Sequence, residues 1–228
     1  MVKSVRHAIP SDCLSVDDDP AAQNFNGWDY VLKSVDTASK SHINCSNPFA
    51  NAFPGDHYRV LAGLIFNLNR DSGPLSLVDI GTHYGTSARV MLDFSPDEDK
   101  VTTFDVTPWR NYETTYLTPE DFESGRLVQH IEDLKESETF EKHKELLVNA
   151  DFIMCDGPKD GVFERTFYSL LSTLEFPKKN RWLLLDDIRF KSEMSSWRLI
   201  CSPKLDLTSF GHFSGTGLVN ISEGFKLG

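Results

Sequence analysis

Short apolar runs alternate with amphipathic stretches from residue 75 to the end of the chain. The runs are "LSLVDI" (75–80), "VTTFDV" (101–106), "RLVQHI" (126–131), "DFIMCD" (151–156) and "RWLLLDD" (181–187). Between them lie helical patterns: "SARVMLDF" (87–94), "LKESETFEKHKELLVNA" (134–150), "VFERTFYSLLSTLEF" (162–176) and "KSEMSSWRLI" (191–200). In 162–176 the apolar positions Phe163, Phe167, Leu170, Leu171 and Leu174 recur at helical spacing and share one face. Upstream, 55–69 reads as a strong helix capped by Asp56, with Leu61, Leu64, Ile65 and Leu68 on one side. The chain ends in two strand-like pieces, "KLDLTSF" and "TGLVNI", joined through the Gly-rich "GHFSG".

Continuous apolar runs alternating with helices describe strands buried on both faces. The expected fold is therefore α/β. It is a Rossmann-like, doubly wound, mostly parallel sheet of seven strands, with helices on both faces and an antiparallel C-terminal edge. In such sheets ligands bind at the carboxyl ends of the strands. Carboxylates gather at those ends here, in "VDIG", "FDV", "CDGPKD" and "LLLDDI".

Composition narrows the picture. The chain has 228 residues, enough to bury a core without disulfides. Its 34 acidic against 23 basic residues leave a net charge of −11, which argues against a nucleic-acid partner. "PKKNR" (177–181) is the one compact basic patch and reads as a solvated turn. Cys13, Cys45, Cys155 and Cys201 form no CxxC pair and carry no disulfide or zinc signal, as expected of reduced thiols in a cytoplasm. Residues 1–26 are polar, without a signal-peptide core, and read as a loose arm. No run approaches the roughly 20 apolar residues that span a bilayer. A cytoplasmic protein acting on a small molecule is expected. A homodimer is compatible with the sequence, which carries no oligomerisation signal.

The first site motif is "VDIGTHYGTSA" (78–88). Gly81 and Gly85 permit a turn and close approach of backbone to a ligand, and Ser87 opens a helix whose N-terminus attracts anions. Asp105, at the end of the second strand, is placed to bind two ribose hydroxyls of a nucleotide-like cofactor. The dinucleotide fingerprint G-x-G-x-x-G is absent, since Gly81 is followed by Thr82-His83-Tyr84-Gly85. The spacing resembles instead the S-adenosylmethionine loop of class I methyltransferases. That resemblance implies a donor held by Asp79, Gly81, His83, Gly85, Ser87 and Asp105, with Asp133 near the adenine and Asp156 beside the donor. Read as residues alone, His83 is equally a plain turn residue, and Asp133 or its neighbour Glu132 equally a surface acid.

The second constellation is Asp156, Asp186 and Asp187, at the ends of neighbouring apolar runs. Three converging carboxylates repel unless one is protonated or a divalent cation sits among them. Oxygen ligands suit Mg²⁺. Lys159 follows Asp156 by three residues; by spacing alone it is as readily a solvated loop lysine as a base.

Together these segments resemble the metal-dependent catechol and caffeoyl-CoA O-methyltransferase group, from about residue 53 to the end. The matching pieces are Gly55-Asp56, "DIGTHYGTSA", "CDGPKD" and "LLLDDI". The resemblance implies Lys159 as the catalytic base, Asp156, Asp186 and Asp187 as metal ligands, and S-adenosylmethionine as methyl donor to a hydroxylated small molecule. Asp187 departs from the family's Asp-Asn ending. Residues 1–45 then read as an N-terminal arm and lid region, and 46–228 as a single methyltransferase domain. The alternatives are a metal-independent class I methyltransferase and a non-catalytic nucleotide-binding α/β module. In the insertion at 105–122, Trp109, Tyr112 and Tyr116 read as cofactor-stacking or as loop packing. Arg189, Trp197 and His212 fall where substrate walls are expected.

Overall fold

A computed structural model describes residues 25–40, 57–177 and 179–228. Among the described residues two helices come first, α1 (Trp28–Ser39) and α2 (His57–Phe66), followed by β1 (Ser76–Ile80), α3 (Thr86–Phe94) and β2 (Lys100–Asp105). Next are a 3-10 turn (Trp109–Asn111), α4 (Pro119–Glu123), β3 (Leu127–Ile131), α5 (Ser137–Asn149) and β4 (Phe152–Cys155). The chain closes with α6 (Phe163–Leu171), β5 (Trp182–Asp186), α7 (Met194–Leu199), β6 (Lys204–Asp206) and β7 (Thr216–Asn220).

The seven strands form one sheet in the order β3-β2-β1-β4-β5-β7-β6. β1 to β5 pair in parallel, and β7 is antiparallel to both β5 and β6. The antiparallel strand is thus inserted next to the edge, at the C-terminal end of the chain as expected. The chain winds outward in both directions from β1 and β4, so the crevice at their carboxyl ends is the topological switch point.

Side-chain alternation explains why the central strands read as unbroken apolar runs. Leu77, Met154 and Leu184 enter one core with residues of α1, α2 and α3; Val78, Ile153 and Leu183 enter the other with residues of α5, α6 and α7. β3 lies at the edge and is only half covered, which leaves Val128 and Ile131 exposed.

Three elements differ from expectation. α1 buries Val31, Ser34, Val35 and Ala38 against α2, and a Cβ on Gly63 of α2 would lie 2.2 Å from the Ser34 carbonyl oxygen. Residues 28–39 are therefore part of the core, although the reading by domains assigns them to an arm. Their stripe mixes valines with Ser and Ala, too weak a pattern to stand out. α5 begins at Ser137, because residues 133–136 form a turn in which the Glu136 N–H donates to the Asp133 carbonyl at 3.1 Å. α6 ends at Leu171, short of the expected 176. Gly55, Asp56 and residues 1–24 and 41–45 of the arm and lid region lie outside the described residues, as do Cys13 and Cys45. Cys155 is buried and Cys201 exposed, both unbridged. Among the described residues no helix is long and apolar enough to cross a membrane.

Candidate active site

The loop after β1 folds over the neighbouring strand. The N–H groups of Gly81 and Thr82 both donate to the Phe104 carbonyl, at 2.8 and 3.1 Å. The His83 N–H donates to Asp105 Oδ2 at 2.8 Å, and the Thr107 N–H to Oδ1 at 2.9 Å. Asp105 is thereby fixed at the end of β2 with lone pairs to spare. Gly81 has φ +102°, and a Cβ there would lie 2.0 Å from the Asp156 carbonyl oxygen. Gly85 has φ +78° and leaves room for Leu117. Both glycines are thus required by chain-on-chain packing, whether or not a ligand also approaches.

A cavity of about 430 Å³ opens over the ends of β1 to β4, within the range that holds a nucleoside-sized ligand. Of the residues expected at a cofactor, Gly81, His83, Asp105, Asp133 and Asp156 line it. Asp79, Gly85 and Ser87 do not. Asp79 is fully buried behind the loop, accepting hydrogen bonds from Ser87 Oγ and Thr103 Oγ1, each at 2.6 Å. Burial drives its pKa up to about 7 against the downward pull of those two hydroxyls. A carboxylate spent on hydroxyls inside the fold explains this residue without a ligand. Asp133 is drawn aside by Lys135 Nζ at 2.8 Å. A larger depression of about 660 Å³, around Tyr30, Trp182 and Lys179, holds none of the expected site residues.

The insertion after β2 packs against this wall. Trp109 is buried and stacks on Phe122, with ring centroids 5.0 Å apart, and it joins the core that also holds Leu117 and Leu127. Tyr112 meets the ring edges of His83 and Tyr84 at 4.9 and 5.3 Å. The Tyr116 N–H donates to the Tyr84 carbonyl at 2.8 Å, which ties the insertion to the glycine loop.

Beside the cavity the ends of β4 and β5 bring charges together. Lys159 Nζ lies 2.8 Å from Asp156 Oδ1 and 4.0 Å from Asp187 Oδ2. Asp186 Oδ1 is buried, accepts no hydrogen bond, and faces His57 Nδ1 at 3.2 Å. His212 Nδ1 stands 3.9 Å from Asp187 Oδ1. Donor atoms of His57, Asp156 and Asp186 lie within 4.8 Å of one another, and so do those of Asp186, Asp187 and His212. The three expected acids thus share one site, joined by His212, expected only at a substrate wall, and by His57, which the sequence did not single out. His57 opens α2 directly after the Gly55-Asp56 segment, and that adjacency was the one available signal.

Opposing forces set the charge states. Burial pushes Asp156 up, but the Lys159 ammonium and His57 outweigh it and hold Asp156 below the usual carboxylate range. Asp186 is pushed up to about 6, chiefly by burial and against the pull of His57. Burial would lower Lys159, yet Asp156 and Asp186 more than offset this and raise it above its ordinary value. Without a further cation Lys159 is therefore an ammonium.

Backbone strain concentrates here. Three described non-glycine residues have positive φ: His83 at 42°, Lys159 at 59° and Asp187 at 61°. All three sit at strand ends of this site, in a conformation that persists only where surroundings enforce it. For Lys159 the enforcing group is Glu164, whose Oε1 accepts the Lys159 N–H at 3.0 Å. Asp160 caps the next helix by accepting from the N–H groups of Val162 and Phe163, both at 2.8 Å. Trp197 is core and Arg189 is paired with Asp206 at 2.7 Å, so of the expected substrate-wall residues His212 alone meets the acid cluster.

No protein-family model matches the chain, and no curated protein matches it in sequence. Solved structures do share its fold. A protein from Corynebacterium glutamicum superposes with a TM-score of 0.51 at 13% identity, covering 86% of this chain and 97% of its own. A candidate caffeoyl-CoA O-methyltransferase from Staphylococcus aureus matches at 0.49 and 18% identity, over 70% of this chain and 81% of its own. The MycE methyltransferase from the mycinamycin biosynthetic pathway, in complex with Mg, SAH and mycinamycin VI, matches at 0.39 and 16% identity. That match covers 50% of this chain and 30% of MycE, so the chain spans less than a third of that relative. At such identities the likeness carries the fold alone.

Proposed function

We propose that this chain is an S-adenosylmethionine-dependent O-methyltransferase acting on a small hydroxylated molecule with help from a divalent cation. The observation that carries the reading is a shared residue. Asp156 lines the nucleoside-sized cavity and also belongs to the half-buried acid–imidazole cluster beside Lys159. A donor in the cavity and an acceptor at the cluster would meet across that one carboxylate.

The chain's own groups then divide the work. Asp105, already oriented by two backbone N–H groups, accepts from ribose hydroxyls. The walls from β3 and the loop after β4 enclose the base. S-adenosylmethionine, when bound, supplies an electrophilic methyl on its sulfonium sulfur. As the methyl–oxygen bond forms and the methyl–sulfur bond breaks, Lys159 takes the hydroxyl proton.

That last role requires a neutral amine, which Asp156 and Asp186 oppose. A cation bound by those acids would neutralise them and lower the pKa of a bound hydroxyl. The donor set fits such an ion: Asp186 Oδ1 is buried without a hydrogen bond, and carboxylate oxygens converge from two strands. His57 and His212 add nitrogen donors. The preference therefore moves from the Mg²⁺ expected of carboxylates alone toward an ion that also accepts imidazole, such as Mn²⁺. A substrate with two adjacent oxygens, a vicinal diol or catechol, suits such a site best.

The Lys159–Asp156 pair favours a second reading, a metal-independent class I methyltransferase, because the cluster can neutralise part of its own charge. Calorimetry with S-adenosylhomocysteine, followed by methyl transfer to a catechol with and without EDTA, separates the two. Binding with EDTA-sensitive turnover restored by Mn²⁺ is expected. Turnover that survives EDTA favours the second reading, and absence of S-adenosylhomocysteine binding removes both.

A further inference from the structure

A second cluster of metal-ligating side chains lies behind the cavity wall and shares no residue with the one above. His130 is on β3, Glu132 follows the strand two residues on, and His143 is on α5. The Glu132 N–H donates to the Asp105 carbonyl at 2.9 Å, which continues the ladder past the end of β3. Residues two apart along a strand point to the same side, and α5 packs over that side. Phe104 underlies both imidazoles, with centroids 5.1 Å from His130 and 4.8 Å from His143. One donor atom each from His130, Glu132 and His143 lies within 4.8 Å of the other two.

We propose that His130, Glu132 and His143 form a site for a divalent ion of the zinc class, which fastens α5 to the end of β3. Two imidazoles and one carboxylate are a donor set that Zn²⁺, Co²⁺ and Ni²⁺ accept well. Lys142 takes Glu132 Oε1, while Oε2 faces His143. A single Glu132–His143 ion pair would require one imidazole. It does not account for the second, His130, whose ring centroid is 4.5 Å from His143. One ion at the centre satisfies all three donors. Glu132, Asp133 and Leu134 also line the cavity, so the ion would stiffen the wall against which a ligand rests.

The test uses the full chain carrying Asp186→Asn, which removes an acid common to both other candidate groups. After stripping with chelator, this protein is titrated with Zn²⁺, and with Co²⁺ to report the ligand field. One equivalent of Zn²⁺, a Co²⁺ d–d band and a raised unfolding temperature on adding Zn²⁺ are expected. Adding His130→Asn or His143→Gln weakens the binding by more than about tenfold and removes the band. His143 is the more buried of the two, so if its variant does not fold by circular dichroism, His130→Asn decides. Failure of the stripped Asp186→Asn protein to take up one equivalent of Zn²⁺, or undiminished Zn²⁺ and Co²⁺ binding in a folded His130→Asn variant, overturns the proposal.

Discussion

At the end of β1 the carboxylate of Asp79 is enclosed by hydroxyls; at the end of β5 that of Asp186 is enclosed by charges. Both are buried acids whose pKa burial drives up, to about 7 and about 6. Asp79 has Ser87 and Thr103 as hydrogen-bond donors, and Thr103 shares a 2.6 Å contact with Thr82. Asp186 has an oxygen that accepts nothing, beside an imidazole, two more carboxylates and a lysine. A buried charge that is fully hydrogen-bonded ties elements of the fold together. One left with an unspent oxygen among other charges costs stability and is a candidate for chemistry.

The sharpest way to break this contrast is to neutralise each acid without changing its shape. Under the proposed function, Asp186→Asn lowers kcat by about 10²–10⁴-fold, as expected when a group that sets up proton transfer is lost. It leaves stability unchanged or higher, since a desolvated carboxylate has been removed. Lys159→Ala produces a fall of the same order. Asp79→Asn keeps turnover within about threefold, because its carboxylate touches no reacting group. Steady-state kinetics beside urea unfolding separates these outcomes. Equal losses for Asp79→Asn and Asp186→Asn would erase the distinction.

A smaller effect is expected where the two regions touch. Gly81 of the first packs against the Asp156 backbone of the second. Gly81→Ala meets both a positive φ and a backbone oxygen, and should destabilise by about 3 kcal/mol in urea. Gly85→Ala meets a positive φ and a leucine side chain that can give way, so about 2 kcal/mol is expected. S-adenosylhomocysteine affinity should fall for Gly81→Ala, which displaces Asp156, more than for Gly85→Ala.

These contrasts mark how far sequence reasoning reaches. The sheet was legible because strands buried on both faces must be apolar along their buried length, as in Phe152–Cys155 and residues 182–185. Asp156, Asp186 and Asp187 were legible because carboxylates at the ends of such strands stand out. α1 was not, since its buried stripe is part valine and part Ser and Ala. His57 and His212 reach the acids only through tertiary packing of α2 and of the β6–β7 connection, which no local pattern encodes. Asp79 and Ser87 illustrate a different limit. A strand-end acid and a helix-opening serine fit a ligand-binding motif, yet in the fold they meet each other.

The last expected difference is in the pH dependence of folding. Asp79 has an ordinary value of 3.8 when unfolded and about 7 when folded, so the folded chain binds the extra proton between those limits. Its contribution to stability is complete below the unfolded value and is lost as pH rises through the folded one. Between about pH 5 and pH 7 this amounts to roughly 2 kcal/mol of stability lost on going up in pH. Asparagine fits the same space. Its amide can donate to the Thr103 hydroxyl, which then turns its own proton toward Thr82 at the 2.6 Å contact they share. Asp79→Asn should therefore flatten that part of the urea-midpoint profile and leave the variant the more stable of the two above about pH 7. An unchanged slope would mean that Asp79 is already ionised in the folded chain. The hydroxyls around it would then carry more of its stabilisation than burial takes away.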